Sequence, residues 1–415
     1  RTKYFCFSSS TLLYFTIKEI LLVKQRMEKL SNLKLIQDIL KEKYLLTKQD
    51  KFNYSVPTLW FKYKNCKPKS KICQVHPYKF FLDTIKYIDK HPKVKIQKTK
   101  RGEWTKAAVI YNLFVRAGAA FNHSLDGKLA LPANGNGFRE TGTFMKAITM
   151  LPYINSLGVN TIHLLPITSI GADGNKGTLG SPYAIKNPYE LDPNLCEPNI
   201  GVGAEVEFKA FVEAAHKLGM RVVVEFVFRT SAKDADWVKE HPDWFYWIRA
   251  DVEDREPKST DESKYSSPIF THEELKKIFT AVSNHRFDQL IPPHQIYRDM
   301  FTEPPRCENI HKEGDRYIGV LENGQRVRIP SAFADWPPND TQPPWGDVTY
   351  LKLYDSSDYG YIGYNTVRMY DSHLAQHINI NKSLWEKIIG VIPHYQQSFG
   401  IDGVILHNNR SCKPY

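Results

Sequence analysis

The sequence predicts an α/β fold: the first four strands of a (β/α)8 TIM barrel, a large domain inserted after the third strand, and a basic N-terminal module. Three runs, residues 158–166, 219–228 and 400–407, carry the barrel prediction. In each run a glycine ends a helical segment, and β-branched and aliphatic residues follow without polar alternation. Parallel strands buried on both faces have this composition, and they need helical crossovers between them.

The charge of the chain is concentrated at its N-terminal end. Residues 1–104 contain 24 Lys/Arg and 8 Asp/Glu, so the remaining residues carry a net charge of −5 although the whole chain carries +11. A mildly acidic barrel disfavours a polyanion site, and we therefore expect no nucleic-acid partner. The six cysteines are scattered without a dense framework. This pattern is typical of a reducing compartment, and it predicts a cytoplasmic protein.

The segment before the barrel has three parts. Residues 1–26 contain an apolar stretch that is too short and too interrupted to span a bilayer, so we expect no stable membrane insertion. We interpret these residues as non-native upstream or disordered sequence before Met27, with an uncleaved membrane-associating helix as the alternative. Residues 28–43 have the apolar spacing of an amphipathic helix. Residues 44–106 are lysine-rich with no steady period, and residues 27–106 together form the basic N-terminal helical module.

The barrel is predicted to be interrupted. Residues 107–228 form its first part, and residues 383–415 supply its third helix, at 383–397, and its fourth strand. About 150 residues separate the third strand from that helix, far more than a connecting loop needs. Residues 229–382 are therefore predicted to be an inserted domain.

The inserted domain contains two loops rich in tryptophan and proline. Asp335 and Trp336 lie in the first loop, and Trp345 lies in the second with Asp347 close by. An aromatic face beside a carboxylate suits a sugar ring, because the ring stacks while the hydroxyls donate to the carboxylate. The alternative is that both tryptophans only hold a loop-rich domain together.

Other chemistries find little support in the sequence. The run HEELK at residues 272–276 lacks the second histidine of a helical zinc site, and GNG at 135–137 lacks the third glycine of a dinucleotide loop. No Gly-x-Ser-x-Gly elbow occurs. We therefore expect neither a metal nor a cofactor.

Several stretches taken together resemble the α-amylase family of glycoside hydrolases. They are residues 108–114 with the nearby Arg116, LP at 165–166, GSPYAI at 180–185 with YELDP at 189–193, and the helical run 207–219. The resemblance implies a retaining hydrolase or transferase that acts on α-glucans. The run DWVKEHPDWF at 236–245 is similar to one in maltosyltransferases of the same clan, which favours a glucan transferase.

The resemblance also implies roles for individual residues. Tyr183 matches an aromatic that stacks on the sugar, while Glu225 replaces the usual Asp of the third strand, with Arg229 shortly after it. His407 stands at the position of the nucleophilic Asp, and Ile405 at that of the Arg two residues earlier. Retaining glycosidases need two carboxyl groups about 5–5.5 Å apart. Imidazole cannot replace the nucleophilic carboxylate, so the chain as given is predicted to be inactive.

Two further hypotheses follow from these substitutions. The chain is either a non-catalytic carbohydrate-binding or assembly protein on the same barrel, or an unrelated barrel enzyme with its carboxylates elsewhere. The residues after Leu406 lose the apolar continuity of the preceding strand. We expect a sequence error near His407 and an incomplete, N-terminal portion of a barrel. The substrate, the linkage, the choice between hydrolysis and transfer, and the oligomeric state stay open at this stage.

Overall fold

The computed structural model describes residues 31–64, 70–92, 94–96, 102–129, 131–172, 179–228, 231–251, 272–284, 286, 289, 301–329, 347–352, 360–365, 367–369 and 380–406. By packing, the chain divides into two compact units. The N-terminal unit comprises Arg1–Ile162 and Pro193–Val222, and the C-terminal unit comprises His163–Asp192 and Val223–Tyr415. The division passes through two of the strands described below.

The first third of the chain is mainly helical. Its elements are α1 Asn32–Leu46, β1 Ser55–Pro57, β2 Ile72–Gln74, α2 Pro77–Lys90, β3 Ile110–Leu113 and α3 Val115–Gly118. Ser31 caps α1, since its side chain accepts a hydrogen bond from the backbone N–H of Lys34. The helix buries Leu33, Ile36 and Leu40, as the apolar spacing predicts.

Helix α2 corrects the interpretation of residues 44–106 as a stretch without a steady period. It begins at Pro77, whose fixed φ suits a first helical turn. Its buried side chains recur at helical spacing, and they include Tyr78, Phe81, Ile85 and Ile88. Lysines between these positions obscure the apolar stripe in the sequence.

The middle of the chain alternates strands and helices. Its elements are α4 Phe144–Asn155, β4 Thr161–Leu164, β5 Thr168–Ile170, β6 Ile185–Leu191, α5 Gly203–Lys217 and β7 Arg221–Phe226. Thr143 caps α4 by accepting a hydrogen bond from the backbone N–H of Lys146. Strands β5 and β6 pair antiparallel with irregular register.

The last part of the chain contains most of the antiparallel strands. Its elements are β8 Trp247–Arg249, α6 His272–Ser283, β9 Phe301–Thr302, β10 Ile310–Glu313, β11 Arg316–Val320, β12 Arg326–Arg328, β13 Asp347–Lys352, β14 Gly360–Asn365, α7 Lys382–Ile389, α8 Val391–Phe399 and β15 Gly403–Leu406. Five of the strands form one sheet in the order β10-β11-β12-β8-β9. Strands β13 and β14 pair separately as an antiparallel hairpin.

All four strands predicted for the barrel are present, and they belong to one sheet in the order β15-β7-β4-β3. Strand β15 pairs with β7 in parallel, with Gly403 opposite Val223 and Leu406 opposite Phe226. The glycines that precede β4, β7 and β15 are Gly158, Gly219 and Gly400, with φ of 81°, 81° and 73°. These left-handed conformations end the preceding helices, as the sequence pattern predicts.

The helix predicted at residues 383–397 is instead two helices, α7 and α8, which meet at Gly390. The Tyr189 hydroxyl donates to the carbonyl oxygen of Lys387 at 2.6 Å. A Cβ atom at Gly390 would lie 2.4 Å from that hydroxyl oxygen. Pro393 also has no N–H to continue the hydrogen-bond ladder. A tyrosine distant in the sequence and a proline thus interrupt the helix.

A buried polar network lies within the N-terminal unit. The Lys146 side chain is fully buried, with its Nζ 3.4 Å from Glu197 Oε1 and 2.8 Å from the carbonyl oxygen of Thr141. Glu207 accepts hydrogen bonds from the backbone N–H groups of Glu197 and Met145 at 2.8 and 3.2 Å. Burial lowers the pKa of Lys146 and raises the pKa of Glu207. The network fixes the start of α4.

The C-terminal unit has its own aromatic core behind the five-stranded sheet. The fully buried indole of Trp247 donates to the carbonyl oxygen of Pro242 at 2.8 Å, and Trp244 donates to Ser383 Oγ at 2.9 Å. Other buried members of this core include Phe245, Ile310, Val327, Ile329, Leu384 and Ile388. The core therefore ties the sheet to α7.

Candidate functional site

Two of the predicted site residues, Tyr183 and Glu225, are brought together within the C-terminal unit. Glu225 is the fifth residue of β7, and its side chain is buried. Tyr183 precedes β6 and is half-buried. The Tyr183 hydroxyl and the Glu225 carboxylate share a side-chain hydrogen bond. The sequence placed both residues at a binding site, and the structure places them in direct contact.

The loop around Tyr183 holds its ring against small side chains. The ring packs on Ala184 and Ala232, both of which are fully buried. The backbone N–H of Tyr183 donates to Ser181 Oγ at 3.3 Å, and that of Ala184 donates to the carbonyl oxygen of Ser181 at 3.2 Å. The backbone N–H of Gly171 in turn donates to the carbonyl oxygen of Ala184 at 3.0 Å. One face of the ring is therefore supported by a well-bonded loop.

His163 joins this pair, although the sequence interpretation did not single it out. It is the third residue of β4, and its ring is largely buried. Its Nε2 atom lies 3.4 Å from Glu225 Oε2. The signal in the sequence was an imidazole between Ile162 and Leu164 in an otherwise apolar run. A histidine in such a run is not informative until the neighbouring strand is known.

The electrostatics of the pair keep the phenol protonated. Burial, followed by the negative charge of Glu225 and the hydrogen bond to it, raises the pKa of Tyr183 to about 12. At neutral pH the hydroxyl therefore donates and the carboxylate accepts. The hydrogen bond to the carboxylate fixes the position of the hydroxyl oxygen, and with it the outer end of the Tyr183 ring.

A second acidic side chain, Asp234, lies in the same unit and was also missed. Asp234 is buried, and its Oδ2 accepts a hydrogen bond from the backbone N–H of Ala172 at 3.0 Å. A Cβ atom at Gly171 would lie 2.2 Å from Asp234 Oδ1. The approach is that close only because residue 171 is glycine. Asp234 thus anchors the loop that supports Ala184.

The other predicted site residues cannot be compared with this geometry. Arg229, Asp335, Trp336, Trp345 and His407 lie outside the described residues. Among the residues that the structure does describe, no group of three His, Cys, Asp or Glu side chains could hold a metal ion. Within the same part of the chain, no helix is long and apolar enough to cross a membrane.

Parts of the sequence are similar to known proteins. The family model described as "Alpha amylase, catalytic domain" matches residues 119–290. An alpha-1,4-glucan:maltose-1-phosphate maltosyltransferase of Cereibacter sphaeroides is 35% identical over 131 residues, which are 28% of this chain and 21% of that protein. The enzyme of the same name from Arcanobacterium haemolyticum is 32% identical over 145 residues, 32% of this chain and 19% of that one. The chain thus spans about a fifth of the length of these relatives.

Solved structures give matches of low geometric similarity. An alpha-amylase from Lactobacillus plantarum is 31% identical with a TM-score of 0.26, covering 43% of this chain and 36% of that one. The maltogenic alpha-amylase AmyB from Thermotoga neapolitana is 18% identical with a TM-score of 0.32, covering 72% and 39%. The matched segment, residues 119–290, includes Tyr183, Glu225, His163 and Asp234. Residues 119–290 are thus similar in sequence to the catalytic domain of α-amylases, and all four of these side chains lie within that segment.

Proposed function

We propose that this chain binds α-glucans and that Tyr183 forms a sugar-stacking surface in its binding site. The observation that carries the proposal is the contact between Tyr183 and Glu225 within the segment that matches the family. A half-exposed aromatic ring whose hydroxyl is fixed by a buried carboxylate presents a rigid apolar face. Such a face suits the apolar side of a pyranose ring.

The chemistry that we propose is retaining hydrolysis or transfer of α-glucosyl units. The names of the relatives favour maltosyl transfer. A retaining mechanism needs a nucleophilic carboxylate and a second carboxyl group as acid and base. Glu225 is engaged with Tyr183 and His163, so we assign it to holding the binding site and not to bond cleavage.

A second function, carbohydrate binding or assembly without catalysis, is favoured by one specific observation. In the register of β15 and β7, Ile405 stands opposite Glu225. An isoleucine cannot supply the guanidinium that the family places at this position to hold its nucleophile ionised. With His407 two residues later, the chain as given lacks a competent nucleophile there.

The test of glucan binding is a titration of maltooligosaccharides against the wild-type chain, Tyr183→Ala and Tyr183→Phe. Loss of the ring should cost roughly 1–3 kcal/mol of binding free energy, as truncation of aromatic anchors does at other binding sites. Tyr183→Phe is the matched control, because it keeps the ring and loses only the hydroxyl. Equal affinities of the wild type and Tyr183→Ala would remove Tyr183 from the site.

The two functions are separated by activity. If the second function holds, the titration detects maltooligosaccharide binding, whereas assays of starch and maltooligosaccharide cleavage, and of maltosyl transfer to a glucan acceptor, detect no turnover. Turnover by the wild-type chain would contradict the non-catalytic alternative. It would also show that a carboxylate other than those considered above acts as nucleophile.

A further inference from the structure

The buried carboxylate of Glu225 has an unusual set of neighbours. On one side, Ile405 of β15 stands opposite it in the parallel register and offers no charge or side-chain donor. On the other side, His163 of β4 approaches it, with Nε2 at 3.4 Å from Oε2. Removing a carboxylate from water is costly unless donors replace the lost hydration. The imidazole is therefore placed where such a donor is needed.

The surroundings of His163 explain why its ring faces Glu225. Its Nε2 atom is buried and has no hydrogen-bond partner among the residues that the structure describes, and its 3.4 Å approach to Glu225 Oε2 is a polar contact within ion-pair distance. The residue is only 9% exposed, so water has little access to that nitrogen. In the tautomer with a proton on Nε2, the imidazole can donate toward the carboxylate that lies closest to it.

We propose that His163 is a positioning residue that holds the Glu225 carboxylate in line with the Tyr183 hydroxyl. The inference rests on the proposed function, since it concerns the same sugar-stacking ring. Two donors on one carboxylate, the imidazole and the phenol, fix its rotation about the last side-chain bond. The ring of Tyr183, already supported by Ala184 and Ala232, is then fixed at both its face and its hydroxyl.

His163 supplies a polar contact to Glu225 that strand β15, on the other side of β7, does not supply. A guanidinium at position 405 would lie on the β15 side of Glu225, but the residue there is isoleucine. The imidazole lies on the β4 side and can hold the carboxylate from that direction. The result is a chain of contacts from β4 through β7 to the loop before β6.

The experiment uses the full chain with tyrosine labelled by 13C at Cζ, whose chemical shift reports hydrogen bonding by the phenol. The Tyr183 signal is assigned with Tyr183→Phe, and Glu225→Gln gives its position without a carboxylate acceptor. We expect the signal in His163→Phe to move toward its position in Glu225→Gln. In His163→Gln it should stay near the wild-type position, because the glutamine amide can donate from the place of Nε2.

Maltooligosaccharide affinity is the second measurement on the same variants. We expect His163→Phe to bind about tenfold more weakly, a difference that corresponds to about 1.4 kcal/mol, because the ring of Tyr183 is then less well oriented for the sugar. His163→Gln should retain most of the wild-type affinity. Circular dichroism of each variant shows whether it folds. If His163→Phe does not fold, the test compares the Tyr183 signal of His163→Gln with that of Glu225→Gln.

The outcomes separate this inference from the proposed function. A Tyr183 signal that does not move in His163→Phe, or that moves equally in His163→Gln, would overturn the positioning role. A moved signal with unchanged affinity would also overturn it. A wild-type chain that binds no maltooligosaccharide refutes the proposed function instead, and the Tyr183 signal still decides whether His163 orients Glu225.

Discussion

Acidification should destabilise the N-terminal unit through one buried histidine, His123. Its Nδ1 lies 2.7 Å from the carbonyl oxygen of Ser55, and its Nε2 lies 3.2 Å from the Tyr54 hydroxyl. The two rings stack with their centres 3.9 Å apart. These contacts suit the neutral imidazole, in which Nδ1 donates to the carbonyl and Nε2 accepts from the phenol. Protonation of Nε2 would turn that acceptor into a second donor facing the hydroxyl.

The magnitude follows from the pKa. Burial, followed by the positive charge of Lys146, lowers the pKa of His123 from 6.5 to about 3, against the opposing hydrogen bond to Ser55. Below pH 6.5 the unfolded chain therefore binds a proton that the folded chain does not. The contribution of His123 is complete above the unfolded pKa and is lost as the pH falls toward the folded pKa. At 1.36 kcal/mol per unit, the loss between pH 6.5 and pH 4 is about 3 kcal/mol.

Another group in the same unit has the opposite sign, so the wild type alone is ambiguous. Burial, followed by the charge of Glu197, raises the pKa of Glu207. The stability linked to Glu207 is thus complete below its ordinary pKa of 4.5 and declines as the pH rises through its folded pKa. A comparison of the wild type with His123→Asn cancels this contribution, because both proteins contain Glu207. Asparagine is chosen because its amide can still donate to the Ser55 carbonyl.

The assay is amide hydrogen exchange in α4 over a series of pH values, corrected for intrinsic rates, since the two units can unfold separately. The free energy of opening of the wild type, minus that of His123→Asn, should decrease by about 3 kcal/mol from pH 7 to pH 4. A difference that stays constant over this range would refute the assignment of the neutral imidazole to the folded state.

Two further predictions concern packing in the N-terminal unit. In Gly142→Ala, the new Cβ would lie 1.8 Å from the carbonyl oxygen of Val115, a backbone atom that cannot move aside. We expect the free energy of unfolding, measured in urea, to fall by at least about 2 kcal/mol. Gly135→Ala is the control: Gly135 has open space around it, so its free energy of unfolding should change little. The Glu213 carboxylate accepts hydrogen bonds from the first two backbone N–H groups of α1 at 3.0 and 2.8 Å. Glu213→Ala should cost about 1 kcal/mol and increase hydrogen exchange in the first turn of α1, as loss of a helix cap does; unchanged exchange there would contradict this role.

The strands of the barrel-like sheet could be predicted because their signals are local. A glycine in the left-handed conformation, at Gly158, Gly219 or Gly400, is followed within a few residues by a strand. Both features depend on neighbouring residues only. As predicted, β4 and β7 are buried, but β15 is partly exposed, with Ile405 on the surface. The interruption of the helix at Gly390 could not be predicted in the same way. It depends on the hydroxyl of Tyr189, which is about two hundred residues away in the sequence.

In the candidate site, too, the features with a local sequence signal were predicted, and those that depend on the fold were not. Tyr183 and Glu225 were found because they stand in runs that resemble a known family. Their contact was not predicted, since it depends on how the loop before β6 folds over β7. His163 and Asp234 were missed because a single polar residue in a buried strand or loop more often completes a core than a site. The contacts of His163 with Glu225 and of Asp234 with Ala172 join residues far apart in the sequence, so only the fold reveals them.

The pairing of β15 with β7 places residue 405 beside the buried carboxylate of Glu225. Position 405 lies directly opposite Glu225, so any residue there contacts the strand that carries the buried carboxylate. A family member with arginine at this position would have a cation on the β15 side, whereas this chain has its imidazole on the β4 side. Ile405→Arg in the full chain would offer Glu225 a guanidinium on the β15 side, and we expect it to weaken the link between Tyr183 and Glu225. A Tyr183 Cζ signal unchanged by Ile405→Arg would show that the two sides of Glu225 act independently.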